Sequence, residues 1–124
     1  MIAETAQSCI DACLVTLHDS ERCLEDCVSH LSEGQQQPDF EECLRACRDV
    51  ISIVGLCASM LLRDDEFSVE ACRLCAQICW RAAVLCGTQS DKFFYLRCAE
   101  SSQICAELCE QFVFYSQWQH TRAA

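Results

Sequence analysis

Apolar and small residues recur along this chain at alternating steps of four and three. The first series runs Ile2, Ala6, Cys9, Cys13, Thr16, Ser20, Cys23, Cys27, His30. The second runs Phe40, Cys43, Cys47, Val50, Val54, Cys57, Leu61. The third is Ser68, Cys72, Cys75, Cys79, Ala82, Cys86, and the fourth Tyr95, Cys98, Ser102, Cys105, Cys109, Phe112. A 4-3 repeat is the stripe that an α-helix turns toward a bundle axis. Four such stripes predict four helices. A second stripe in the first helix, Leu14, Leu17, Leu24, Val28 and Leu31, predicts helix-on-helix packing beside the axis.

Punctuation sets the boundaries. The first helix is expected over residues 2–32 and is broken by Gly34-Gln-Gln-Gln-Pro38. Asp39 is placed as the N-cap of the second, with Glu41 and Glu42 in its first turn, and that helix runs to about Arg63. Asp64-Asp65-Glu66 turns the chain, Ser68 caps the third helix and Gly87 stops it. The fourth starts near Asp91 and ends near Gln119. Short connections join antiparallel neighbours. The expected fold is therefore all-α, an antiparallel up-down-up-down four-helix bundle forming a single domain over 1–124.

Cysteine changes the picture. All 14 lie on the four stripes, distributed 4, 3, 4 and 3, so every thiol should face one shared interior. One or two would pass as small buried hydrophobes. Fourteen, standing where Leu and Ile fill a bundle better, call for chemistry. A secreted disulfide scaffold does not fit. The start MIAETAQSCI has no basic or apolar signal region, and disulfide-dense domains are loop-rich. The expected compartment is a reducing cytoplasm. The nearly apolar run Val50 to Leu62 falls short of the roughly 20 residues that span a bilayer, so no membrane is expected. The formal net charge of −10 argues against nucleic acid and suits a solvated acidic surface.

Five pairs have the form Cys-x-x-x-Cys: Cys9/Cys13, Cys23/Cys27, Cys43/Cys47, Cys75/Cys79 and Cys105/Cys109. Helical residues four apart hold their Cβ atoms about 5–6 Å apart, whereas a disulfide wants roughly 3.5–4.5 Å. A metal ion between the sulfurs fits the wider gap. Thiolates select copper(I), zinc or iron–sulfur clusters, and the last usually draw on loop-rich runs. Zinc on four thiolates leaves a buried charge of −2, while copper(I) matches thiolate one for one. Copper(I), held by shared thiolates, is the expected cargo. A zinc or broad-metal buffer of metallothionein type is the alternative. A redox-active thiol protein is another, but it needs accessible, acidic thiols. Cys72-Arg-Leu-Cys75 has redox spacing without the βαβ setting. No nucleophile–base or acid–base set stands out, so no catalysis is read.

The candidate metal ligands are Cys9, Cys13, Cys23, Cys27, Cys43, Cys47, Cys57, Cys72, Cys75, Cys79, Cys86, Cys98, Cys105 and Cys109. His30 continues the first stripe and is a further candidate at the bundle mouth; His18 falls on the surface and His120 in the tail. Pairing the helices through their loops puts Cys23, Cys27, Cys43, Cys47 and Cys86 at one end, beneath His30. A thiol-free layer of Ser20, Val50, Ala82 and Tyr95 follows, with the other nine cysteines beyond it. The second helix has no charge between Asp49 and Arg63, and Ser52, Gly55, Leu56 and Ser59 lie on its outer face. Such a face predicts a homo-oligomer.

CLRAC (43–47), CRLCAQIC (72–79) followed by Cys86, and RCAESSQICAELC (97–109) resemble the four-helix-bundle copper storage proteins, specifically the cytosolic branch. The resemblance covers essentially the whole chain. It implies a homotetramer and many copper(I) ions on Cys-x-x-x-Cys pairs inside the bundle. A copper chaperone or exporter is the implied partner. Val50, Val54, Ala82 and Ser101 or Ser102 stand where more heavily loaded members tend to carry cysteine. Thr16 and Ser20 interrupt the first stripe, and the family's histidines near the end of the third helix are missing.

Overall fold

The computed structural model describes residues 3–34, 38–88 and 93–123. It contains α1 (Glu4–Ser32), α2 (Pro38–Leu62), α3 (Ser68–Gly87) and α4 (Phe93–Ala123). α1 and α3 each pack against both α2 and α4, while the diagonal pairs barely meet. The four helices thus form a square, up-down-up-down bundle. Among the described residues, no helix is long and apolar enough to cross a membrane.

The 4-3 stripes face the axis. Every described stripe residue from Ala6 to Cys27 on α1 is buried, as are Phe40 to Leu61 on α2, Ser68 to Cys86 on α3 and Tyr95 to Cys109 on α4. Ile2 lies outside the described residues. The second stripe on α1 divides. Leu17, Leu24 and Leu31 pack against the core, but Leu14 and Val28 are exposed.

The helix ends depart from expectation in informative ways. α2 starts at Pro38, so Asp39 is already helical and the cap position lies outside the described residues. Proline suits a first helical position because its missing N–H would have no partner there. Ser68 is the first residue of α3 rather than its cap; Phe67 takes the cap position. The turn is held instead by Asp65, whose Oδ1 accepts the Phe67 N–H at 2.8 Å, and by Ser68 Oγ, which donates to the Asp65 carbonyl at 2.8 Å. Asp64 has φ +52°, a left-handed value that Asp tolerates. Gly87 is the last residue of α3, and Thr88 caps it in a right-handed conformation. The left-handed glycine is Gly34, φ +80°, whose N–H bonds the Leu31 carbonyl and ends α1. Asp91 lies outside the described residues, and α4 runs on past Gln119 to Ala123.

Apolar side chains supply a frame around the thiols. Ile10, Ala46, Val50, Ile53, Val54, Ala58, Leu61, Ala76 and Ala106 are all buried. Such burial drives folding without any cargo. We therefore expect the metal-free chain to be helical by circular dichroism. Leu61→Ala should destabilise that metal-free state by about 2–5 kcal/mol in denaturant titration. A coil that becomes helical only with metal would contradict this.

Candidate metal centre

Each helix contributes cysteines near both of its ends, and the antiparallel packing sorts them into two groups. All 14 are free and buried. Cys23, Cys27, Cys43, Cys47, Cys86 and Cys98 gather where α1 and α3 end. Cys9, Cys13, Cys57, Cys72, Cys75, Cys79, Cys105 and Cys109 gather toward the opposite end.

Within the first group, Cys43 Sγ lies 3.1 Å from Cys86 Sγ and 3.7 Å from Cys23 Sγ. Cys86 Sγ lies 3.7 Å from Cys98 Sγ. The sulfurs of Cys23, Cys43, Cys47 and Cys86 all fall within 4.8 Å of one another. In the second group, Cys9 and Cys109 are 3.3 Å apart, Cys57 and Cys72 3.5 Å, Cys13 and Cys105 3.8 Å. Two four-sulfur sets form there, Cys9/Cys13/Cys57/Cys109 and Cys13/Cys75/Cys105/Cys109, and they share Cys13 and Cys109. Shared sulfurs suit bridging thiolates.

The division is six and eight rather than five and nine. Cys98 sits beside Cys86, with Ser20 Oγ 3.6 Å away, and so belongs to the smaller group. Tyr95 moves with it. It is not in the thiol-free layer but one step nearer the mouth, among Phe40 and His30. The register of α4 against α3 depends on the connection between them, which periodicity within a helix does not encode. The other residues expected to form a thiol-free layer divide between the groups: Val50 and Ala82 pack in the cluster of the eight thiols, and Ser20 lies against Cys98 of the six.

His30 crowns the six-thiol group. Its ring stacks on Phe40 at 4.8 Å, and Nδ1 lies 2.8 Å from the Asp26 carbonyl oxygen and 3.3 Å from the Asp26 carboxylate. The Tyr95 hydroxyl is 3.5 Å from the same nitrogen. A proton on Nδ1, donated to that carbonyl, leaves Nε2 as the nitrogen with a free lone pair. His18 is exposed, as expected. The side chain of His120 lies outside the described residues.

Sequence reasoning missed a polar belt between α1 and α4. Thr16 Oγ1 donates to the Ser101 carbonyl at 3.1 Å, and Ser101 Oγ donates to the buried Asp19 carboxylate. Arg97 Nε stands 4.0 Å from Asp19. The signal was faint: Asp19 and Ser101 each lie one residue off a stripe.

Crowding splits the thiols into unlike sets. A thiol that accepts S–H bonds ionises more easily, and its donors resist ionising. Cys43 is held well below the ordinary thiol range, chiefly by Cys23. Cys57 and Cys105 are lowered chiefly by Cys109, and Cys98 chiefly by Cys23. Cys9 is lowered to about 6, again chiefly by Cys109. In compensation Cys23 is pushed up, mainly through Cys27, and Cys109 mainly through Cys105. Complete ionisation of either group therefore needs a cation among the sulfurs. The donors are soft, and the four-sulfur sets contain no carboxylate. They fit a thiophilic ion, and a monovalent one leaves the least charge buried.

A profile of the family described as "Csp: Copper storage protein" matches residues 2–114. Among curated proteins, the "Uncharacterized cysteine-rich protein YhjQ" of Bacillus subtilis (strain 168) is 32% identical over 108 residues, covering 84% of this chain and 92% of that protein. Two solved structures superpose closely. The Cu(I)-bound copper storage protein BsCsp3 has a TM-score of 0.77 at 29% identity, covering 87% of this chain and 97% of that one. The apo copper storage protein 3 from Bacillus subtilis has a TM-score of 0.75 at 30% identity, covering 87% and 98%.

Burial also separates storage from redox exchange, which needs accessible thiolates. In the folded, metal-free protein the thiols should react slowly with Ellman's reagent, and all 14 should titrate at once after unfolding. Several fast-reacting thiols in the native state would favour the redox reading instead.

Proposed function

Since this chain belongs to the copper storage protein family, we propose that it stores copper(I) on the thiolates lining its core. One observation carries the reading: fourteen free, buried thiols form two groups with neighbouring sulfurs as close as 3.1 Å. Each arriving ion displaces a thiol proton to solvent and leaves a neutral copper–thiolate unit. Repeated across a group, this loads the interior without accumulating buried charge. The cargo is sequestered rather than turned over, so no catalytic role is assigned. His30 Nε2 is the nitrogen available to meet an ion at the mouth of the six-thiol group.

Free thiols in this number suit a reducing compartment, which supports a cytoplasmic setting. A copper chaperone or exporter is the class of partner that the role calls for. The outer face of α2 supports self-association. Ser52, Leu56 and Ser59 are exposed there, and a Cβ added at Gly55 would meet nothing within the chain. An uncharged helix face of this kind fits a second copy, and a homotetramer is the assembly that the resemblance implies.

Anaerobic copper(I) titration against a strong chelator tests the reading. We expect roughly 10–14 ions per chain, one for nearly every thiolate. Apparent affinity should fall as pH falls, because protons compete for the same sulfurs. Saturation at one or two ions, or tighter holding of zinc than of copper(I), would reject it. Light scattering tests assembly: the chain should run as an oligomer, and Leu56→Glu should drive it toward the monomer with its helicity intact. A monomeric wild type would reject self-association.

A further inference from the structure

At the end where α1 stops, the stripe position just outside the outermost cysteine carries a ring on three of the helices. One step beyond Cys27 on α1 is His30; one step before Cys43 on α2 is Phe40, and one step before Cys98 on α4 is Tyr95. The three rings converge. His30 stacks on Phe40 at 4.8 Å, Phe40 on Tyr95 at 6.2 Å, and the His30 and Tyr95 centroids are 6.4 Å apart. The opposite end is built otherwise. The matching stripe positions there are Ala6, Leu61, Ser68 and Phe112. The first three are buried, and the Ser68 hydroxyl is committed to the Asp65 carbonyl at 2.8 Å. None of the four offers copper(I) a soft donor or an imidazole. At the ring end, by contrast, His30 keeps 13% of its side chain in solvent.

Tyr95 touches both that imidazole and the thiols. Its hydroxyl stands 3.5 Å from His30 Nδ1 and hydrogen-bonds the Cys27 sulfur. Tyr95 is wholly buried and Phe40 nearly so. A phenol ring packed in this way has no solvent beside it through which an ion could pass, so it has to swing aside. The swing breaks the contacts of its hydroxyl, which therefore hold the ring across the path.

We propose that Tyr95 is the gate between His30 and the thiol core, with its hydroxyl as the latch. The proposal rests on the copper storage reading and adds to it a residue that sets rate without setting capacity. An ion handed from His30 Nε2 to Cys27 makes a Cu–S bond as it breaks a Cu–N bond, and the displaced thiol proton goes to solvent. The phenol oxygen is a hard donor and takes no part in holding the ion. Its work is done in keeping the ring shut between transfers, so that stored copper leaves slowly.

The test uses the full chain and copper(I) itself. Uptake from a weak copper(I) chelator and release to an excess of a strong one are followed by stopped flow, and the ions held per chain are counted at saturation. Tyr95→Phe keeps the ring and loses the latch. It should speed both uptake and release about three- to tenfold, the weight of one hydrogen bond, with the ion count of the wild type. Tyr95→Leu removes the ring as well and should give at least as large a gain. Phe112→Ala, which takes a ring from the opposite end, should leave both rates unchanged while costing stability in denaturant. Circular dichroism checks that each variant is folded, and Tyr95→Phe alone decides the matter if Tyr95→Leu is not. Wild-type rates in Tyr95→Phe would overturn the gate while leaving copper storage standing. So would an equal acceleration in Phe112→Ala, which would mean general loosening, or a lower ion count in Tyr95→Phe, which would make the hydroxyl a ligand. A wild type that takes up only one or two ions would bring down the storage reading itself, and this proposal with it.

Discussion

An α-helix returns to the same face every three or four residues, and here that period places sulfur where a bundle normally places methyl groups. Everything else follows from having to bury those sulfurs. A thiol is small, so the helices need alanine, valine and leucine nearby to complete a packed frame. Ala46, Val54, Leu61, Ala76 and Ala106 do this. A thiolate is charged, so no large group of them is tolerable in a dry interior without a cation of matching charge. The same geometry that hides the thiols from oxidants and other proteins thus specifies what they can hold.

The crowding of sulfur on sulfur also shapes the empty state. With neighbours 3–4 Å away, the thiols bond to one another. Some are drawn toward ionisation and others are held protonated. An arriving ion meets a mixed set of readily ionised and reluctant ligands, and its own charge relieves the repulsion that ionising the rest would cause. Protons are the counter-flow to the arriving ions.

Much of this was legible in the sequence because periodicity is a local property. Each stripe, with the inward direction of every cysteine, could be read from residues three and four apart. The division into two thiol groups was visible too, since Val50 and Ala82 interrupt their stripes in plain view. What failed depended on chain ends and on contacts between helices. Cys98 and Tyr95 were placed about one step out because the register of α4 is set by its connection to α3. Ser68 and Asp39 looked like caps because both residue types favour that role, but Asp65 holds the α3 turn and Pro38 opens α2. The Asp19–Ser101–Thr16 belt was invisible for a similar reason. Its members are 82 and 85 residues apart in the chain and lie on no shared pattern.

That belt acts as an index pin. Sliding α1 along α4 by one residue moves it about 1.5 Å, enough to unseat the Thr16 hydroxyl from the Ser101 carbonyl and Ser101 from Asp19. Because the pin stands near mid-bundle, a tilt or shift of one helix on the other has only half the bundle length over which to grow. Sulfur contacts on either side of the pin, Cys9 with Cys109 and Cys98 with Ser20, inherit a small error instead of one of them inheriting a large one. Ligand spacing is thereby calibrated from the centre outward, by oxygen atoms that never need to touch the metal.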